Sequence, residues 1–296
     1  MANTPIAVVG RGCLLPGALD PHTLTQRVLQ GDDLVSQVPG DRWGIDASRI
    51  LGQGPDKATA DRGGYVRGFE GRFDPAGFGV PPSELLSLDP LFHWLLHASR
   101  EALVEGGFEP GSLPRAGAIV GNLSFPSEAL SRFAEATWLR QAGYDAKQVE
   151  ALLGRPEPQP KSRFMSGLPA LLLGPALGLS LPPFALDAAC ASALYAIKYA
   201  CDALADGRAD LMLAGAVNRA DDLVMHGGFT ALKARSPTGQ SRPFHRDANG
   251  LVPAEGVGIV ALMTLETALK EGRPIFGVIR GVGLSPDGRA GGFLAP

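Results

Sequence analysis

Residues 182–217 restrict the fold more than any other part of the sequence. A short apolar run, Pro182-Pro-Phe-Ala-Leu186, leads through Asp187-Ala-Ala-Cys190 into a segment with apolar residues at Leu194, Ile197, Cys201 and Leu204, closed by Gly207. A second apolar run, Leu211-Met-Leu-Ala-Gly-Ala-Val217, follows. The two runs read as strands and the spacing between them as a helix, so the segment is a β-α-β unit whose first strand is buried. Cys190 is then expected on the first turn of the helix. Unpaired N–H groups and the positive end of the helix dipole favour a thiolate there. Ala188, Ala189 and Ala191 keep the surroundings small enough for a carbonyl to approach the sulfur, with the Cys190 N–H facing a developing oxyanion. A free thiol among apolar residues also fits a buried core cysteine. The local pattern leaves both readings open.

Strand-like and helix-like segments alternate along the rest of the chain, which argues for an α/β fold with helices covering a mixed or parallel sheet. A strand at 6–9 is followed by a helix to residue 30 that Asp20-Pro21 caps. Residues 31–74, rich in Gly, Pro, Asp and Arg, read as a long surface excursion. A helix runs from Asp89-Pro90 to Gly106 with Leu91, Trp94, Leu95, Ala98 and Ala102 on one face. The reading continues with a strand at 118–120, a mostly helical stretch at 127–153, a polar loop at 156–160 and a helix at 164–172. After the β-α-β unit come a helical segment at 221–233 and a turn-rich loop at 236–255. Strands at 257–262 and 275–279 flank a short helix at 265–270. No repeat of solenoid length is present.

Composition narrows the function classes. At 296 residues, 45% hydrophobic and 19% charged, the chain has material for one large core or two fused halves. A net charge of −3 gives no electrostatic case for nucleic acid. No signal-peptide pattern opens the chain, and prolines and glycines break the most apolar stretch, 168–186, so no membrane span is expected. Three unclustered cysteines form neither a disulfide framework nor a zinc site; Cys201 falls on the apolar stripe of the helix after Cys190, Cys13 follows the opening strand, and both read as core or near-core residues. A reduced, cytoplasmic protein is expected.

Other residues carry weaker chemistry. His93 and His97 have the i, i+4 spacing of metal ligands, but without an intervening Glu or a third ligand they read as a solvated face, and no metal is expected. His226 and His245 are candidate bases for a Cys-His hydrolase. Arg235, Arg242 and Arg246 cluster around the 236–255 loop, as a solvated loop or a seat for an acidic partner. Glu255, at the mouth of a glycine-rich strand, needs partners and reads as structural.

Several segments in order resemble the N-terminal part of β-ketoacyl synthases, the condensing enzymes of fatty-acid and polyketide assembly. They begin with Pro5-Ile-Ala-Val-Val-Gly-Arg-Gly-Cys-Leu-Leu-Pro-Gly17, Val38-Pro-Gly-Asp-Arg-Trp43, Gly63-Gly-Tyr65, Phe73-Asp74 and Leu88-Asp-Pro90. They continue with Asp187-Ala-Ala-Cys-Ala-Ser-Ala-Leu194, Leu213-Ala-Gly-Ala-Val-Asn218, Ser236-Pro-Thr-Gly239, Arg242-Pro-Phe244 and Glu255-Gly-Val-Gly258. The style is that of type I polyketide or polyunsaturated fatty acid synthases. The resemblance implies a thiolase-like layered α-β-α-β-α fold, of which this chain is the N-terminal half and the start of the second. It also implies that Cys190 takes an acyl chain as a thioester, its N–H forming half of an oxyanion hole. Decarboxylative condensation with a malonyl unit on an acyl carrier protein follows.

No resident cofactor is implied, since phosphopantetheine arrives on the carrier. A homodimer is expected. Relatives carry further polar residues after the cysteine where Ala191 and Ala193 flank Ser192, which puts a supporting hydroxyl contact in doubt. The family's two catalytic histidines, a lysine and a second oxyanion donor lie in a C-terminal half beyond Pro296, so the chain alone is expected not to condense. A non-catalytic dimerisation scaffold, a thiolase-like acyltransferase and a Cys-His thioester hydrolase are the competing readings.

Overall fold

The computed structural model describes residues 4–40, 42–43, 46–54, 57–109, 111–123, 125–154, 159–285 and 288. In chain order the first elements are β1 (Ile6–Leu14), α1 (Pro21–Gln30), β2 (Ser36–Gln37), α2 (Ala47–Ile50) and β3 (Arg62–Gly63). Next come α3 (Pro82–Leu86), α4 (Pro90–Glu105), β4 (Ala116–Asn122), α5 (Glu128–Gln141), α6 (Ala146–Leu153) and α7 (Leu168–Leu177). The chain continues with β5 (Phe184–Leu186), α8 (Ser192–Ala205), β6 (Leu211–Asn218), α9 (Asp222–Ala231), β7 (Gly256–Thr264), α10 (Leu265–Lys270) and β8 (Gly277–Ile279).

One mixed sheet carries the architecture, in the order β5-β4-β6-β7-β1-β8. β5, β4 and β6 are parallel, β7 runs antiparallel to both β6 and β1, and β8 is antiparallel to β1. β4 is buried at all seven residues, as a strand covered on both faces must be. On one face, Val257, Ile259, Ala261 and Met263 of β7 join the core under α4 and α7; on the other, Leu262 packs with Ile119, Ala214 and Ala196 under α8. The two-residue period of β7 thus serves two helical layers at once. α4 lies directly against β1: a Cβ on Gly12 would stand 2.0 Å from the Ala98 carbonyl oxygen, and one on Gly10 1.9 Å from that of Ala102.

Local signals set the helix ends. The Asp20 carboxylate accepts from the Thr23 amide at 2.8 Å to start α1, and Asp89 accepts from Leu91 at 2.8 Å to start α4. The expected face of α4 is buried at Leu91, Trp94, Leu95, Ala98 and Ala102. Helix α10 spans the expected residues, and the 127–153 stretch divides into α5 and α6.

Three expectations change. The strand before Cys190 is short and lies at the sheet edge, paired among the described residues only with β4, so Phe184 is 46% exposed rather than buried. α8 turns Ala196, Ala200, Cys201, Ala203 and Leu204 inward and leaves Leu194 exposed, because the small alanines let the helix sit close to the sheet. The helix expected at 164–172 is α7, which starts at Leu168 and runs through Pro175 in its last turn. Proline is tolerated at the first turn at Pro169.

The 31–74 segment carries buried side chains at Trp43, Ala58, Tyr65, Val66 and Phe69 along with the β2–β3 pair. Cys13 and Cys201 are buried. Most of the 156–160 loop, Asp41 of the Val38–Trp43 motif, and residues 289–296 lie outside the described residues.

Candidate active site

Between β5 and α8 the backbone makes a tight turn that displays Cys190. The Asp187 Oδ1 accepts from the Ala189 amide at 2.9 Å, and Ala189 adopts φ 50°, a left-handed conformation uncommon for a residue with a Cβ. A methyl is the smallest side chain that can stand there other than glycine's hydrogen. The Ala191 amide returns to the Ala188 carbonyl at 3.2 Å and the Ser192 amide to the Ala189 carbonyl at 3.1 Å.

The Ser192 hydroxyl then staples the turn. It accepts from the Ala188 amide at 2.9 Å and donates to the Ala189 carbonyl at 2.6 Å. Ala191 and Ala193, on either side of Ser192, add no hydroxyl of their own to the turn. Cys190 is exposed and precedes α8, whose N-cap is Ala191, instead of lying on its first turn. Gly121 of β4 makes the close approach possible, since a Cβ there would meet the Ser192 Cβ at 2.8 Å.

Cys190 lines a cleft of about 340 Å³. Leu15, Leu123, Val217 and Val257 supply apolar walls, and Asn218 and Glu255 the polar ones. The far wall is residues 254–258, clamped from both sides. The Asn218 Nδ2 donates to the Ala254 carbonyl at 2.7 Å, the Gly64 amide to the Pro253 carbonyl at 2.9 Å, and the Glu255 amide to the Gly64 carbonyl at 2.9 Å. The buried Glu255 carboxylate accepts from the Val66 amide at 2.9 Å and is paired with Arg42. Arg42 reaches the Asp222 carboxylate at 2.9 Å through Nε.

One guanidinium therefore joins the 42–43 turn, the start of α9 and the cleft wall. Burial, with the neighbouring Glu255 charge, outweighs Arg42 and raises the Asp222 carboxyl to about 6. Glu255 has the structural partners its position demands. Arg42 and Asp222 escape sequence reasoning because nothing local marks them as a pair.

The family described as "Beta-ketoacyl synthase, N-terminal domain" matches residues 3–268. The chain belongs to the β-ketoacyl synthase family. A mycocerosic acid synthase-like polyketide synthase of Mycobacterium tuberculosis is 36% identical over 296 residues, 99% of this chain and 13% of the relative. The mycoketide-CoA synthase of the same organism is 34% identical over 305 residues, covering 100% of this chain and 7% of the relative. The chain thus spans a small part of the curated relatives it matches. Among solved structures, a PfaC keto synthase-chain length factor superposes with TM-score 0.84 at 31% identity, over 94% of this chain and 31% of that one. A ketosynthase from module 6 of the bacillaene synthase of Bacillus subtilis 168 shares the fold, with TM-score 0.76 at 24% identity, over 99% of this chain and 46% of that one. The fold is the thiolase-like one of ketosynthases.

The remaining candidates in this β-ketoacyl synthase chain lie away from the sulfur. Among the described residues no histidine lines the Cys190 cleft. His226 is buried, its ring edge-on to Trp43 at 5.4 Å and its Nε2 3.4 Å from the Tyr65 hydroxyl. Burial, and then the nearby Arg235 charge, push its imidazole down to about 4. His245 is exposed beside Asp247.

His93 and His97 do not form a solvated face. His93 stacks on Phe73 at 4.4 Å and bonds the Leu85 carbonyl at 2.8 Å, while His97 packs on Phe69 at 4.8 Å. The segment around Phe69 and Phe73 folds back over α4, which the helical period could not reveal, and burial lowers both imidazoles. No group of three or more His, Cys, Asp or Glu among the described residues is placed to hold a metal ion. Arg235 is buried, donating to the Arg62 carbonyl at 3.0 Å, and so leaves Arg242 and Arg246 without it at the surface. Among the described residues no helix is long and apolar enough to cross a membrane.

Proposed function

We propose that this chain is the acyl-accepting part of a ketosynthase that builds polyketide or fatty-acid chains on an acyl carrier protein. The observation that carries the reading is Cys190, exposed on a stapled left-handed turn at an apolar cleft. The Cys190 sulfur attacks the carbonyl carbon of an acyl thioester delivered on the phosphopantetheine of the carrier. The carbonyl–sulfur bond of the donor breaks, and the carrier thiol leaves with the proton that Cys190 gives up. The Cys190 N–H forms half of the oxyanion hole for the tetrahedral intermediate. A malonyl unit on the carrier then loses carbon dioxide, and the resulting carbanion attacks the carbonyl carbon of the Cys190 thioester; the bond from that carbon to the Cys190 sulfur breaks, the lengthened chain stays on the carrier, and the Cys190 thiolate takes up a proton. No resident cofactor takes part.

Among the described residues no histidine lines the Cys190 cleft, so the reading rests on acyl acceptance at the sulfur. The outer edge of β5, with Phe184 exposed, fits a pairing surface for a second copy, making a homodimer. A reducing cytoplasm keeps Cys190 a thiol.

Intact-protein mass spectrometry after incubation with acyl-carrier protein tests the reading. One acyl adduct on the wild type, absent from Cys190→Ala, is the expected result. An adduct that persists in Cys190→Ala overturns it.

A further inference from the structure

Three glycines line the Cys190 cleft, and the space beside each differs. A Cβ on Gly121 would collide with Ser192 at 2.8 Å, so that glycine serves the packing of β4 against the cysteine turn. Gly256 has φ 152°, and a Cβ there would meet Leu15 at 2.7 Å and the Leu14 carbonyl at 2.9 Å. Around Gly258 a Cβ would meet nothing within 4 Å.

Gly258 lies inside β7, opposite Ala216 of β6 and Cys13 of β1, in backbone that any residue adopts. By the two-residue period of the strand its missing side chain points to the same face as Leu262, the face that α8 covers and before which Cys190 stands. The side-chain volume absent at 258 is therefore cleft volume. Among the described residues, neither packing nor backbone conformation requires glycine there.

We propose that Gly258 sets the size of the group admitted beside the Cys190 sulfur, so that a side chain at this position excludes long or branched chains while admitting short ones. Under the acyl-transfer reading, on which the choice of ligand rests, Gly258 is the specificity-determining residue for the acyl chain. Glu255 in the same cleft does not set this size limit, because its carboxylate is turned to Arg42 and the Val66 amide.

The test uses the full chain, with Gly258→Ala and Gly258→Val. Alkyl methanethiosulfonates from methyl to octyl label Cys190, read by peptide mass spectrometry that separates it from the buried Cys13 and Cys201. The octyl-to-methyl rate ratio is expected to fall on the order of tenfold in Gly258→Val and less in Gly258→Ala, as removing room for a few methylenes does in apolar pockets. An unchanged methyl rate and melting temperature show that the fold is intact. If Gly258→Val is insoluble, Gly258→Ala carries the same test with a smaller shift. A ratio equal to wild type in a folded variant overturns the proposal.

The same proteins are then offered acyl N-acetylcysteamine thioesters of the same lengths. Failure of the wild type to take any of them, with the reagent ratio still shifted by the variants, overturns acyl transfer and leaves the size limit standing. Acylation of Gly258→Val with wild-type length dependence overturns the size limit alone.

Discussion

The Ser192 hydroxyl donates to the Ala189 carbonyl at 2.6 Å and so closes the turn that presents Cys190. The same oxygen accepts the Ala188 amide, which ties the end of β5 to the first turn of α8 through one side chain. A hydroxyl in this position does for the turn what a backbone ladder does for a strand.

Replacing that hydroxyl tests its role. Ser192→Ala leaves the Ala188 amide without its acceptor and is expected to cost about 1–2 kcal/mol, since a partly buried donor loses its partner. Urea denaturation reads the loss, and alkylation of Cys190 by iodoacetamide should change in rate as the turn relaxes.

The left-handed backbone at Ala189 tolerates little else. Ala189→Val places a branched side chain at φ 50° and is expected to destabilise by roughly 1–3 kcal/mol. Ala189→Gly, which suits that region, should stay near wild type in thermal melting. Equal melting temperatures for the valine and glycine variants would contradict the strained turn.

Arg42 pairs with two largely buried carboxylates. Arg42→Ala strands Glu255 and Asp222 without it, and breaking a buried pair in this way costs about 3–5 kcal/mol. Denaturant unfolding should show that loss, whereas Arg42→Lys should recover part of it.

Asp222 and His226 pull stability in opposite directions on acidification. His226, lowered to about 4, binds a proton more readily in the unfolded chain, so its contribution is present above about pH 6.5 and is lost as pH falls toward 4. Asp222, raised to about 6, binds its proton more readily in the folded chain, so it adds stability as pH falls from about 6 to 4. Urea midpoints at several pH values should therefore fall less steeply on acidification in His226→Phe and more steeply in Asp222→Asn.

The contact of α4 with β1 leaves no room at Gly12. Gly12→Ala puts a methyl 2.0 Å from the Ala98 carbonyl oxygen, so the helix must move away from the strand, at a cost of at least about 1–3 kcal/mol for overpacking. A lowered melting temperature is the expected reading.

Local chemistry was legible without the structure. The apolar runs on either side of Cys190, the Asp20 and Asp89 caps, the buried face of α4 and the bounds of α10 all follow from side-chain period and capping, which act within a few residues. The ordered motifs from Pro5 to Gly258 likewise carry the resemblance to the β-ketoacyl synthase family.

What covers each face was decided only by tertiary structure. The sheet order places β7 between β6 and β1, and thereby brings Glu255 and Gly258 from late in the chain to the cleft of Cys190. The same ordering leaves β5 at an edge, against the expectation of burial. Residues 69–73 cover His93 and His97, and Arg42 joins Asp222 to Glu255. Hydrophobic period shows which side of an element is apolar, but not which distant segment will pair with it. That choice is made by long-range strand pairing and by the need of each buried charge for a partner.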